Sequence, residues 1–291
     1  MKPVDIFLAV LVAVIWGLGF VASRLVLDEL SPSMMTTLRF AIAAVPCLFI
    51  RRPKVSWPVL IAISLTLFLF QFLAQSYGIA EGVPVGLTSV IVQSQALFTV
   101  AFAAIAFRER PTGVQIFGIT IAAAGLLMIT GTVGFDFTVG TFAVLMISPI
   151  SFAIGNLLLR YANHASMFDV FAWLYLIPPL PLFALALFVD GPQATWHDLT
   201  HMTATGIISM LAIGVITTSF AYWLWGRLLR QYTAAQVAPF ALLVPFVGAG
   251  ASAVMFHEKF GLLRLGGMLT VVFGIGVMLL SRRTPAASGM G

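Results

Sequence analysis

The sequence predicts an all-α polytopic membrane protein of ten transmembrane helices, and three observations predict it. Charged residues make up 9% of the 291 positions and hydrophobic residues 60%, whereas a water-facing globular chain carries about 25% charge. The apolar residues gather into ten runs, each near the ~20 residues needed to cross a hydrocarbon core. The cations fall mostly in alternate gaps between those runs, the pattern of loops retained on the cytoplasmic side.

In chain order the runs are 6–27, 32–50, 57–79, 86–107, 113–131, 138–160, 167–189, 203–228, 234–256 and 262–280. The first is longer than a signal-peptide core and lacks a small-x-small cleavage site, so it reads as a retained span. The connections are short, which makes neighbouring spans antiparallel and leaves no gap for a soluble domain. Ten spans put both termini on one face. That face holds Lys2, Arg51, Arg52, Lys54, Arg108, Arg110, Arg160, Arg227, Arg230, Arg282 and Arg283. Arg24, Arg39, Lys259 and Arg264 lie on or near the other, with most of the acids, including Glu29, Glu81, Asp136 and Glu258. Both termini are therefore expected in the cytoplasm. The net charge of +5 belongs to this topology and not to a nucleic-acid patch, so no nucleic-acid partner is expected. Cys47 is the sole cysteine and forms no intrachain disulfide.

The two halves repeat. Phe107-Arg108-Glu109-Arg110, followed by Gly118 and Gly125, returns 149 residues later as Phe256-His257-Glu258-Lys259, with Gly267 and Gly274. Gly19 and Arg24 meet Gly155 and Arg160 at a shift of 136, and Pro46 lies near the equivalent of Pro181. Five spans per half is an odd number, so the second copy is expected upside-down. The expected units are 1–134, 135–281 and a cytoplasmic tail over 282–291. Inverted copies that exchange conformations alternately expose a site near the midplane.

These residues carry a resemblance. Trp16-Gly17 in span 1, Arg39-Phe40 in span 2, the Phe-Arg-Glu-Arg and Phe-His-Glu-Lys ends of spans 4 and 9, and the glycines of spans 5 and 10 occur in one order. In this the chain resembles the ten-helix drug/metabolite transporter superfamily, specifically its EamA-type exporters, over nearly its whole length. The resemblance implies a secondary transporter of two inverted five-helix repeats, working by alternating access without a cofactor, as a monomer or homodimer in the lipid bilayer. It is most similar to bacterial inner-membrane exporters of amino acids, including cysteine-pathway metabolites and aromatic amino acids. One departure stands out: span 9 carries Pro245 where span 4 has Ala96, so the two halves are expected to bend differently.

Polar groups in hydrocarbon are costly and tend to face a wet cavity or the bundle interior. The candidate substrate-binding residues are Trp16, Gln71, Gln75, Tyr77, Gln93, Gln95, Asn156 and Tyr222. Amides have more groups to satisfy than hydroxyls, whereas most Ser and Thr here are expected to bond their own helix. Trp16 and Tyr222 read equally well as interfacial belt residues. Arg39 sits about 10 Å along span 2. It is expected to snorkel to the outer interface, with attraction of a substrate carboxylate as the alternative. Pro149, Pro178, Pro179, Pro181 and Pro245 are expected to bend or interrupt their helices. No Asp or Glu lies at mid-membrane, which predicts facilitated efflux, or coupling at span ends such as Glu81.

Two other classes compete. An intramembrane enzyme needs clustered nucleophiles, acids or metal ligands, yet His164, His197, His201 and His257 fall in loops or at span ends. His197 and His201 have i, i+4 spacing but no evident third ligand, so a solvated loop is the expectation and no metal is expected. A channel needs a selectivity filter, and no segment resembles one.

Overall fold

The computed structural model describes residues 1–134, 136–162 and 167–280. Arg282, Arg283, His164 and the tail over 282–291 lie outside the described residues.

Among the described residues, ten helices long and apolar enough to cross a membrane run through Pro3–Leu27, Pro32–Phe49, Trp57–Ala80, Val85–Ala106, Gly113–Thr130, Val139–Ala162, Asp169–Val189, Ala204–Gln231, Ala238–Met255 and Leu262–Leu279. They are spans 1 to 10. Their starts follow local chemistry. Ser31, Thr138 and Thr203 cap spans 2, 6 and 8 by accepting the amide N–H groups of Met34, Thr141 and Gly206. Thr112 and Gln115 form a reciprocal capping box before span 5. Large apolar side chains such as Leu180, Phe188 and Val254 stand exposed on the outside, the arrangement of a bundle whose solvent is lipid. The chain is a multi-pass membrane protein.

Packing follows the small residues. Spans 5 and 10 approach backbone to backbone: a Cβ added at Gly118 would lie 2.6 Å from the Gly274 carbonyl oxygen, and one at Gly125 2.8 Å from that of Gly267. Only glycine allows this contact. Span 9 packs on spans 1 and 4, span 6 on spans 3 and 4, span 8 on spans 1 and 2, and span 7 on span 2. Thus span 1 meets span 9 as span 6 meets span 4, and span 1 meets span 8 as span 6 meets span 3.

Local irregularities fall at related places. Arg108 and His257, 149 residues apart, both adopt φ of 54°, a left-handed conformation rare outside glycine. Spans 3 and 8 both widen into π-helix, over Leu65–Phe70 and Ala212–Phe220. Spans 4 and 9 are both interrupted in the halves nearer their own N-terminal ends. Span 4 breaks at Ser94 and resumes at Gln95, and span 9 passes through a 3-10 stretch, Ala238–Leu242, before resuming at Leu243.

These breaks correct the expectation, drawn from Pro245 opposite Ala96, that the two halves bend differently. Pro245 sits in the first turn of the resumed helix, where proline is tolerated, and Ser94 breaks span 4 without a proline. Pro149 lies inside an unbroken helix, Val139–Leu158. Pro178 and Pro179 do mark the break in span 7, after Leu174. The segment before span 8 is also not a plain loop but a short helix, Pro192–Thr200. His197 and His201 stack on it with ring centroids 4.1 Å apart. Among the described residues no third metal-binding side chain joins them.

Candidate substrate site: a one-ended cavity in the bundle core

A cavity of about 700 Å³ occupies the centre of the bundle. Seven of the eight sequence candidates line it: Trp16 from span 1, Gln71 and Gln75 from span 3, Gln93 and Gln95 from span 4, Asn156 from span 6 and Tyr222 from span 8. Tyr77 does not. It stands 39% exposed on the other side of span 3, because two residues beyond Gln75 is about 200° around a helix.

Local structure sets the directions of these side chains. Gln71 and Gln75, both buried, emerge directly after the π-helical segment of span 3. Gln93 is the last helical residue before the break at Ser94, and its Nε2 donates to the Ala241 carbonyl at 2.8 Å. That carbonyl lies in the 3-10 stretch of span 9. The two interrupted spans are therefore tied across the cavity by a backbone acceptor outside regular helix. Trp16 packs edge-on against Tyr222, with centroids 5.3 Å apart, and against Trp225 at 5.1 Å. Both Trp16 and Tyr222 face the cavity.

Arg39 overturns its expectation. It is 4% exposed and does not reach the outer interface. Its Nε donates to Thr218 Oγ1 at 2.9 Å, and its guanidinium lies 4.0 Å above the Phe72 ring. The Thr218 hydroxyl in turn donates to the Ile213 carbonyl, five residues back, so the π-helix of span 8 orients the group that holds Arg39. Arg39, Thr217, Phe152, Phe171, Trp225 and Arg230 all line the cavity beyond the sequence candidates. A signal for some of them was present: Tyr222, Trp225, Gly226, Leu229 and Arg230 follow the i, i+3, i+4, i+7, i+8 stripe of one helix face.

Several buried polar atoms at the site have no protein partner: Trp16 Nε1, Gln71 Oε1 and Gln95 Oε1. Among the described residues, no Asp or Glu lines the cavity. A narrower cleft between spans 2, 7 and 8, passing Pro46, Tyr175 and Trp223, shares Phe171, Tyr222, Gly226 and Arg230 with it.

The cavity reaches Leu229 and Arg230 in the last turn of span 8, on the face that carries the N-terminus. The opposite face is closed by polar ties between spans. Glu258 accepts the amide N–H groups of Val85 and Gly86 at 2.6 and 3.0 Å. Glu29 accepts from the Thr203 amide and hydroxyl at 2.7 and 2.6 Å. Ser33 donates to Asp190, and Arg264 pairs with Asp136. The N-terminal face has Asp5 bound to Tyr232 and Arg160 to Glu109.

The EamA-like transporter family profile matches this chain twice, over residues 4–131 and 140–280. The chain belongs to the EamA-like transporter family. Each match spans one half of the bundle described above. Among curated members, a protein of Salmonella typhimurium named "Probable amino-acid metabolite efflux pump" is 33% identical, over 99% of this chain and all of its own length. A protein of the same name from Escherichia coli is 32% identical over the full length of both. A solved crystal structure shares the fold with a TM-score of 0.64 at 14% identity, covering 95% of this chain and 96% of its own. The protein is a transporter by family, and its fold is that of a ten-helix membrane bundle.

Proposed function

We propose that this transporter exports amino acids and related small metabolites from the cytoplasm. In this reading it is a bacterial inner-membrane carrier with both termini inside, and its two five-helix halves are inverted copies that alternate in conformation. The observation that carries the reading is the cavity itself: mid-bundle, lined by neutral amides and aromatic rings, open toward one face and tied shut at the other. Its volume falls within the ~300–1,000 Å³ of ordinary small-molecule sites. The two full-length relatives named for amino-acid metabolite efflux supply the substrate class.

Inverted copies are supported by the matched contacts of the two halves, the twin π-helical segments and the shared φ at Arg108 and His257. The cationic loops on the open face support a cytoplasmic placement of that face. One chain encloses the whole cavity, so a single copy is a complete transport unit.

Because no carboxylate lines the cavity, solute leaves down its own gradient. The test is flux in proteoliposomes holding the purified chain. Labelled neutral amino acids should enter vesicles preloaded with the unlabelled solute, saturate with concentration, and gain nothing from an imposed pH gradient. Non-saturable flux without trans-stimulation would replace the carrier with a channel, and uphill accumulation driven by the pH gradient would replace facilitated efflux with proton coupling.

A further inference from the structure

We propose that Arg39 is the anchor for a substrate carboxylate, and that the cavity takes monocarboxylates while rejecting solutes whose side chain carries a further positive charge. This rests on the exporter reading of the same cavity and specifies what it recognises.

Two arginines are buried among the described spans, and they are provided for differently. Arg264, 6% exposed, is neutralised by Asp136 and also donates to Thr132. Arg39, 4% exposed, has no carboxylate partner among the described residues. A buried cation without an anion is among the costliest groups in a membrane protein, and such groups mark substrate or ion pathways. A structural arginine would be expected to resemble Arg264.

The geometry presents the charge to the cavity. Thr218 takes the Nε hydrogen, and Phe72 supports the guanidinium plane from one side. Nη1 and Nη2 have no protein hydrogen-bond partner among the described residues, and Arg39 lines the cavity. A guanidinium fixed in this way retains two donors in fork geometry, which matches the two oxygens of a carboxylate.

Two of the unpartnered atoms complement the other end of an amino acid. Gln71 Oε1 and Gln95 Oε1 are acceptors for an ammonium or amine, and the faces of Trp16 and Tyr222 attract it without a formal charge. With no acid in the cavity and Arg230 at its mouth, a second positive charge on the solute meets only repulsion. Lysine and arginine are therefore excluded, whereas neutral side chains fit against the aromatic wall.

The test is competition against counterflow of labelled phenylalanine and labelled serine in proteoliposomes of the full chain. Matched competitors are phenylalanine against phenethylamine, serine against ethanolamine, and lysine. Removing the carboxylate should weaken competition by about tenfold or more, and lysine should compete no better than the amines. Arg39→Gln should abolish the discrimination between phenylalanine and phenethylamine, a ratio that a merely structural arginine would leave unchanged. Arg39→Lys, which keeps the charge and loses the fork, should restore part of it. If phenethylamine competes as well as phenylalanine on the wild-type chain, the anchor is wrong while the exporter stands. If neither labelled amino acid moves, both readings fall.

Discussion

The contact between Glu258 and the start of span 4 should hold the far end of the cavity closed. The helix beginning at Val85 has Pro84 at its N-cap and no side-chain cap of its own, so Glu258, in the loop between spans 9 and 10, serves as the cap. Its two oxygens accept the Val85 and Gly86 amides at 2.6 and 3.0 Å. Hydrogen bonds to a charged group contribute about 1.5–3 kcal/mol and neutral ones about 0.5–1.5. Glu258→Gln keeps one neutral acceptor and loses the other bond and the charge. Glu258 is only half-buried at a membrane face, so water recovers part of the loss. The closed state should then lose about 1–2 kcal/mol, a shift of about five- to thirtyfold toward opening on that face. A single cysteine at Val92, which lines the cavity, introduced on a Cys47→Ala background, reports the shift. An impermeant maleimide added from the face opposite the termini should label the Glu258→Gln protein faster by that factor. An unchanged labelling rate in a folded variant would show that the clasp does not hold the gate.

Other substitutions test the frame and the site. Gly118→Ala places a Cβ 2.6 Å from the Gly274 oxygen and 2.7 Å from the Met278 nitrogen, and should cost about 1–3 kcal/mol, read as a lower unfolding midpoint. Gly250→Ala, with nothing within 4 Å, should leave the midpoint unchanged or raise it. Gln93→Leu removes the side-chain partner of the Ala241 carbonyl and should cost about 1–3 kcal/mol of stability, read as a lower unfolding midpoint, with slower flux. Tyr77→Phe should leave flux unchanged, since Tyr77 does not line the cavity.

The sequence carried the frame because lipid imposes strict rules. Span lengths, alternate cationic loops and the paired glycines of spans 5 and 10 are all dictated by hydrocarbon thickness, charge retention and close approach, and all are visible in composition and spacing. The π-helical segments were not visible, since an apolar stretch such as Leu65–Phe70 satisfies an α and a π register equally well. The break at Ser94 has no proline to announce it. Arg39 was misread for a related reason: in a span that is apolar on every side, the sequence does not fix rotation about the helix axis, so depth alone was a poor guide to direction. Tyr77 was avoidable, because its spacing from Gln75 already placed it on the opposite side of the helix. The Tyr222-to-Arg230 stripe was likewise legible, and its residues form one wall of the cavity.

Alternating access requires the closed face to open, and a reversible lock tests it directly. Glu29 and Thr203 join spans 1 and 8 there. With both replaced by cysteine on the Cys47→Ala background, a short, reducible thiol crosslinker should stop amino-acid counterflow, and reduction should restore it. Undiminished counterflow through the crosslinked protein would mean that solute crosses without these spans separating, and would contradict the account.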